Sequence, residues 1–355
     1  MDNVSLKRIT VALLLALLFA AGGPIRAQQT ERQRSPFTIN TDLVVTWAQI
    51  FGSKDGKVVK GLEIGDFALR EDGKQQQISL IKEGQPLSAV ILVKGGYCGT
   101  FSPKWSFRRS SEALSQLGAD AEVALMAWEG DVVLTQPLTM DHKVIADQLK
   151  DRTFFLTALA RKQPQFFPNG DRFLPRPGEA IFQAAQYLEQ TAGPGRRKVI
   201  IVLAYPDWTN ETHLHTAAEV KEALERTGAT VYGLYQDNGF SPGLGLRSKL
   251  LGVEKRRRAG GTIEEFVEQT GGSILKGAPE EGDEMLIKLA GLIRSSYTIG
   301  YYPANSDFDG RFRRISLELS SQGKAKVGRV DIKTRDGYRA LRPSAPAASE
   351  ARQGR

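Results

Sequence analysis

The chain has 355 residues, 41% of them hydrophobic and 25% charged, with a formal net charge of +8 and a single cysteine. That composition is globular material with room for two domains, and it excludes a disordered or low-complexity protein. One cysteine excludes an intramolecular disulfide, and the basic balance favours loose contact with anionic surfaces without specifying a partner.

In chain order, the first 27 residues stand apart. Lys7 and Arg8 precede the apolar run 9–21, followed by Gly22, Gly23, Pro24 and the small residue Ala27. This is the layout of a secretory signal peptide (1–27), with cleavage expected after Ala27. The apolar run of about 13 residues falls short of the roughly 20 that a membrane-spanning helix needs. No later segment is apolar enough to span, so no transmembrane segment is expected in the mature chain. Its formal charge would be +6, because three basic residues and one acidic residue leave with the signal.

Residues 28–36 read as a polar linker. From 37 to 86 the pattern is all-β: Leu43, Val45 and Trp47 are spaced by twos, and Asp72-Gly73 predicts a hairpin between 67–70 and 77–81. The character then changes. Apolar strands are expected at 89–93, 121–128, 196–205 and 229–235, with a shorter one at 132–138. Helices are expected at 106–117, 178–190, 216–227, 262–270 and 282–296. Continuous apolar strands alternating with helices argue for a mostly parallel sheet covered on both faces. From 297 to 341 the period returns to two, and 342–355 is a Pro/Ala/Ser-rich tail expected to be disordered. The fold class expected is therefore a doubly wound, Rossmann-like α/β unit at 87–296. It is inserted between flanks, 37–86 and 297–341, that together form a β-sandwich, because three or four strands are marginal alone.

Several side chains invite chemistry. Strand 89–93 runs into Lys94, two glycines and Cys98, which could be a nucleophile with His213 or His215 as base, or a small buried hydrophobe. His213 and His215 could also pair on a metal, though a third ligand is missing. His142 reads as a surface residue. Tyr301 and Tyr302 could form a sugar platform or pack the sandwich core. Phe166, Phe167 and Phe173, in the Pro-rich stretch 164–177, could anchor a partner or tuck their loop onto the sheet. The basic run 255–258 is a solvated loop or a polyanion contact. Nothing in the pattern points to a nucleic-acid partner.

Eight segments in order carry a resemblance: "TDLVVTW", "GKVVKGLEIGDFALREDGKQQQI", the strand 89–93, "RRKVIIVL", "FVEQTGGSIL", "LIRSSYTIGYYP", "DGRFRRISLEL" and "TRDGYRA". Over about 37–341 the chain resembles bacterial proteins related to the von Willebrand factor type A domain. The resemblance implies a doubly wound α/β fold whose usual work is non-enzymatic adhesion. It also implies a Mg²⁺ adhesion site at the C-terminal ends of the strands, made from a D-x-S-x-S turn, a threonine and an aspartate. Carried over residue by residue, Lys94, Gly96 and Cys98 stand at the three turn positions. Glu179 falls at the threonine position and Tyr205 at the aspartate position, with Asp207 the nearest carboxylate. An ammonium beside a Mg²⁺ ion would cost several kcal/mol, so the family's metal site is expected to be lost and no cofactor is expected. An altered site built on Glu179 and Asp207 is the alternative. The expectation is an exported, periplasmic or extracellular binding module that works without a metal. Lys94 would supply the cation beside Glu179 or Asp207, or else point to solvent. Its partner would be a protein or an envelope polymer. Structural envelope assembly and a Cys98-dependent enzyme are the competing functions.

Overall fold

The computed structural model describes residues 43–94, 107–128, 131–151, 177–204, 214–236 and 261–341. The expected signal peptide, linker and C-terminal tail lie outside them. Chain order begins with β1 (Val44–Gly52), β2 (Phe67–Glu71), β3 (Lys74–Gln76) and β4 (Ile78–Glu83). Asp72 and Gly73 take φ values of 47° and 80°, so both central residues of the β2–β3 turn are left-handed, as a tight two-residue hairpin requires. The expected partner strand at 77–81 is corrected here. The chain breaks at Gln77, so β3 pairs with β2 while β4 leaves for the other sheet and pairs with a later strand.

The middle of the chain supplies β5 (Leu87–Lys94), α1 (Ser110–Leu117), β6 (Glu122–Trp128), β7 (Val132–Thr139), α2 (His142–Lys150), α3 (Pro177–Thr191), β8 (Arg197–Ala204), α4 (Ala217–Thr227), β9 (Thr230–Gln236), α5 (Ile263–Gln269), β10 (Ile274–Gly277) and α6 (Gly282–Arg294). The sheet order is β10-β9-β8-β5-β6-β7, parallel except for the edge strand β7. Along β5, Ala89 and Ile91 face a core shared with α1, α2 and α6, while Val90 and Leu92 face a core shared with α3, α4 and α5. Burial on both faces explains why β5 and β8 read as unbroken apolar runs. Helix α2, which the sequence pattern did not single out, is capped by Asp141, whose side chain accepts from the backbone N–H of Lys143 and Val144. His142 is not a plain surface residue: its Nε2 lies 2.8 Å from the Ala121 carbonyl oxygen.

The chain closes with β11 (Tyr297–Tyr301), β12 (Phe312–Leu319), α7 (Ser321–Val327), β13 (Val330–Thr334) and β14 (Gly337–Arg339). Two antiparallel four-stranded sheets result, β13-β1-β11-β4 and β14-β12-β2-β3, and each draws strands from both flanks. Between them Ala48, Ile50, Leu69, Tyr297, Ile299, Tyr301, Ile315 and Leu317 are buried in one core.

Polar ties join the first sheet to the N-terminal edge of the α/β unit. Gln49 Nε2 donates to the Leu292 carbonyl at 2.8 Å, and Ser273 Oγ donates to Gln49 Oε1 at 2.9 Å. Arg197, at the start of β8, donates to the Ile293 carbonyl at 2.7 Å while its guanidinium lies 5.3 Å from the centre of the Trp47 ring. From the second sheet, Arg339 on β14 donates to Glu225 on α4 at 2.8 Å.

Candidate functional site

Strands β5 and β8 are neighbours, yet the chain leaves β5 for α1 on one face and passes from β8 to α4 on the other. That makes their C-terminal ends a topological switch point, the place where open α/β sheets bind ligands. Lys94 is the last residue of β5. It shares the parity of Val90 and Leu92, so it belongs to the face covered by α3, and it is 3% exposed. Its register partner is Trp128, the last residue of β6, and the ammonium lies 5.4 Å from the centre of that indole ring. The contact is a cation–π interaction in a dry setting. The reading of Lys94 as a strand-end lysine pointing to solvent is corrected by its burial. The indole Nε1 is itself buried with no hydrogen-bond partner among the described residues.

The second component is Glu179, in the first turn of α3 and 6% exposed. One carboxylate oxygen accepts from Gln183 Nε2 at 2.8 Å, one helical turn along. The other lies 2.7 Å from His215 Nδ1. The position of His215 is set locally. Thr216 and Glu219 form a capping box at the start of α4, which leaves His215 just outside the helix and facing α3. Its imidazole stacks on Phe182, with centroids 3.7 Å apart and planes 17° from parallel. Leu214, next to it, is 68% exposed.

The expected site residues thus divide. Lys94 and Glu179 stand at the same end of the same sheet face, and His215 joins Glu179. Gly96, Cys98, Tyr205 and Asp207 lie outside the described residues, as do His213, Phe166, Phe167, Phe173 and the basic run 255–258. Tyr301 is fully buried in the sandwich core, where its hydroxyl donates to Glu71 at 2.7 Å, so of the suggested sugar platform only Tyr302 is exposed. Trp128, Gln183 and Phe182 escaped the sequence reading. The i, i+4 spacing of Glu179 and Gln183 was the one signal in plain view; the others need the strand register and the helix packing.

Of the positions at which the resemblance implies a divalent cation, Lys94 and Glu179 are described, and neither offers a free oxygen ligand. Both oxygens of Glu179 are engaged, the residue at the first acidic position is an ammonium, and no three His, Cys, Asp or Glu side chains come together among the described residues. A hard ion needs about six oxygen ligands.

No protein-family model matches the chain, and no curated protein matches it. Solved structures of similar fold include an aerotolerance-related membrane protein from Bacteroides fragilis, at 15% identity and a TM-score of 0.37, covering 58% of this chain and 98% of that one. The protein BatB from Bacteroides thetaiotaomicron gives 14% identity and a TM-score of 0.33, over 58% of this chain and 97% of that one. A von Willebrand factor type A protein from Catenulispora acidiphila gives 10% identity and a TM-score of 0.37, over 78% and 74% respectively. At such scores the likeness adds no weight of its own. The sheet order and its switch point define the scaffold, a doubly wound, mostly parallel α/β unit.

Proposed function

We propose that this protein is an exported, non-enzymatic binding module. It engages a protein or an envelope polymer through the C-terminal edge of its central sheet, and it does so without a metal ion. The observation that carries this reading is the buried Lys94 at the switch point, where the resemblance puts the first acidic ligand of an adhesion site. Catalysis is not part of the reading. The apolar run after Lys7 and Arg8 supports export, and no helix among the described residues is long and apolar enough to cross a membrane.

Two measurements test it. N-terminal sequencing of the chain recovered outside the cytoplasm should begin at Gln28. Calorimetry of the mature chain with Mg²⁺, Mn²⁺ and Ca²⁺ should show no heat of binding at micromolar concentrations. Saturable binding of any of these ions, abolished by Glu179→Ala, would return the site to the metal-dependent class.

A further inference from the structure

We propose that one end of the β-sandwich is a docking surface for an anionic phospholipid membrane. This surface lies where β1 ends and β13 begins, apart from the C-terminal edge of the central sheet, and it stands whether or not that edge binds a partner.

Two segments far apart in sequence build it. The loop after β1 carries Lys54, Lys57 and Lys60 and runs into a short 3-10 turn at Ile64–Asp66. Helix α7 and the turn into β13 bring Lys324, Lys326 and Arg329. Hydrogen bonds join the two segments along their length. The Ser53 N–H donates to the Arg329 carbonyl at 3.1 Å, Lys326 Nζ to the Gly61 carbonyl at 2.8 Å, and Ser320 Oγ to the Gly65 carbonyl at 2.7 Å. Val59 on one segment and Val327 and Val330 on the other pack against the sandwich core, so the basic residues are carried on anchored backbone.

All of these basic side chains are exposed. Of the carboxylates at this end, Asp66 is buried and binds Lys326 at 3.1 Å, Asp55 lies 3.8 Å from Lys57, Glu83 accepts from the Gly61 N–H at 2.9 Å, and Glu63 is exposed. Lys54, Lys60, Lys324 and Arg329 form no salt bridge among the described residues, so the balance at this end is positive. Within it, Ile64 is left 45% exposed, on a turn fixed by the bond from the Glu63 N–H to Asp66 Oδ2 at 2.8 Å. Uncompensated cations beside an exposed aliphatic side chain match a bilayer interface, where phosphates meet the cations and the acyl boundary takes the apolar group. A soluble polyanion would use the cations alone and leave Ile64 in water.

The test is co-sedimentation of the mature full-length chain with vesicles of phosphatidylcholine, with and without phosphatidylglycerol, and with soluble polyphosphate as competitor. The chain should sediment with the phosphatidylglycerol vesicles at low salt and be released at high salt, and it should ignore pure phosphatidylcholine. Each lysine at an anionic bilayer is worth about fivefold in partitioning, so Lys60→Gln with Lys324→Gln should weaken binding at least tenfold. Ile64→Ser should weaken it severalfold and leave its salt dependence unchanged. Lys143→Gln with Lys288→Gln, which removes two exposed cations of the α/β unit, should leave binding as it was, and circular dichroism would confirm the fold of every variant. The inference is overturned by failure to sediment with phosphatidylglycerol vesicles, by equal binding to phosphatidylcholine alone, or by equal losses in the two lysine pairs. Tighter binding of polyphosphate, unaffected by Ile64→Ser, would also overturn it and assign the surface to soluble polyanions.

Discussion

The sandwich core contains a buried charge whose removal should be costly. Glu71 and Arg313 are each 3% exposed, and Arg313 Nη1 lies 3.6 Å from Glu71 Oε1. The other oxygen of Glu71 accepts from Tyr301 at 2.7 Å and from Tyr338 at 2.9 Å. Arg313 also donates to the carbonyls of Asn305 and Asp307, and so fixes the loop after β11. Glu71→Ala leaves two tyrosine hydroxyls without their acceptor and a buried guanidinium without its counter-charge. Breaking a buried pair from one side costs about 3–5 kcal/mol, a large share of the roughly 5–15 kcal/mol that holds a domain folded. Glu71→Gln keeps the shape and one acceptor, so its cost should stay near 1–3 kcal/mol. Urea unfolding followed by far-UV circular dichroism measures both. Tyr301→Phe supplies the control: in combination with Glu71→Ala its cost should shrink, with a coupling of about 1 kcal/mol or more. A loss below about 1 kcal/mol for Glu71→Ala, or strict additivity with Tyr301→Phe, would refute the idea that the cluster acts as a unit.

Three further outcomes follow from the fold. Burial first, and then the hydrogen bond to Glu71, push the Tyr338 hydroxyl up to about 12, and burial pushes Tyr301 higher still. A raised phenol favours the folded state fully below the unfolded value near 10, and that contribution is lost as pH climbs through about 12 for Tyr338. Urea midpoints should therefore fall over this window, less so in Tyr338→Phe. Gly271 has φ +73°, and a Cβ there would sit 2.3 Å from the Thr334 carbonyl carbon. Gly271→Ala should cost more stability than the roughly 1–2 kcal/mol of left-handed strain alone, and calorimetry would show it as a lowered thermal midpoint. Thr262 caps α5 by accepting from the Glu265 N–H at 3.2 Å, so Thr262→Ala should cost about 1 kcal/mol in the same urea assay.

Much of this architecture is legible in the residues, and the failures are physical. Strands β5 and β8 announce themselves because burial on both faces leaves 89–93 and 199–204 wholly apolar. The Asp72-Gly73 turn is equally plain, since few residue pairs adopt two successive left-handed conformations. The parting of β3 from β4 is hidden because the segment 74–83 alternates in one continuous pattern, and only the competing pairing with β11 pulls its second half into the other sheet. Helix α7 is hidden for a different reason. Its sequence, Ser-Gln-Gly-Lys-Ala-Lys-Val, has no apolar stripe, and it is held instead by the Ser320 cap and by the approach of Gly323 to the Asp66 carbonyl, where a Cβ would come within 2.2 Å. At the site, the changed identity of Lys94 could be read from the resemblance, but its burial could not. Its contact with Trp128, 34 positions away, arises only once β5 and β6 are in register. The Glu179–His215 contact likewise spans 36 positions and exists because α3 and α4 lie side by side.

The insertion itself bears on where a partner can dock. The chain enters the α/β unit at Leu87, the first residue of β5, and returns to the sandwich at Tyr297, just past the last turn of α6. Both crossings lie at the N-terminal edge of the parallel sheet. The ties through Gln49, Ser273 and Arg197 lie there too, and Arg339 meets Glu225 near the C-terminal end of α4, at the same edge. Glycine is required there as well: Gly228 ends α4 in the left-handed conformation, and Arg335 passes 3.5 Å from where its Cβ would be. The sandwich therefore occupies the end of the sheet opposite Lys94, so a molecule bound at Lys94 and one bound to the outer sheet β14-β12-β2-β3 would not compete for the same surface. If the sandwich rather than the C-terminal edge held the partner, substitutions at Arg70 and Arg314, both exposed on that outer sheet, should weaken retention by isolated envelopes while Lys94→Met leaves it unchanged. The proposed binding face requires the reverse.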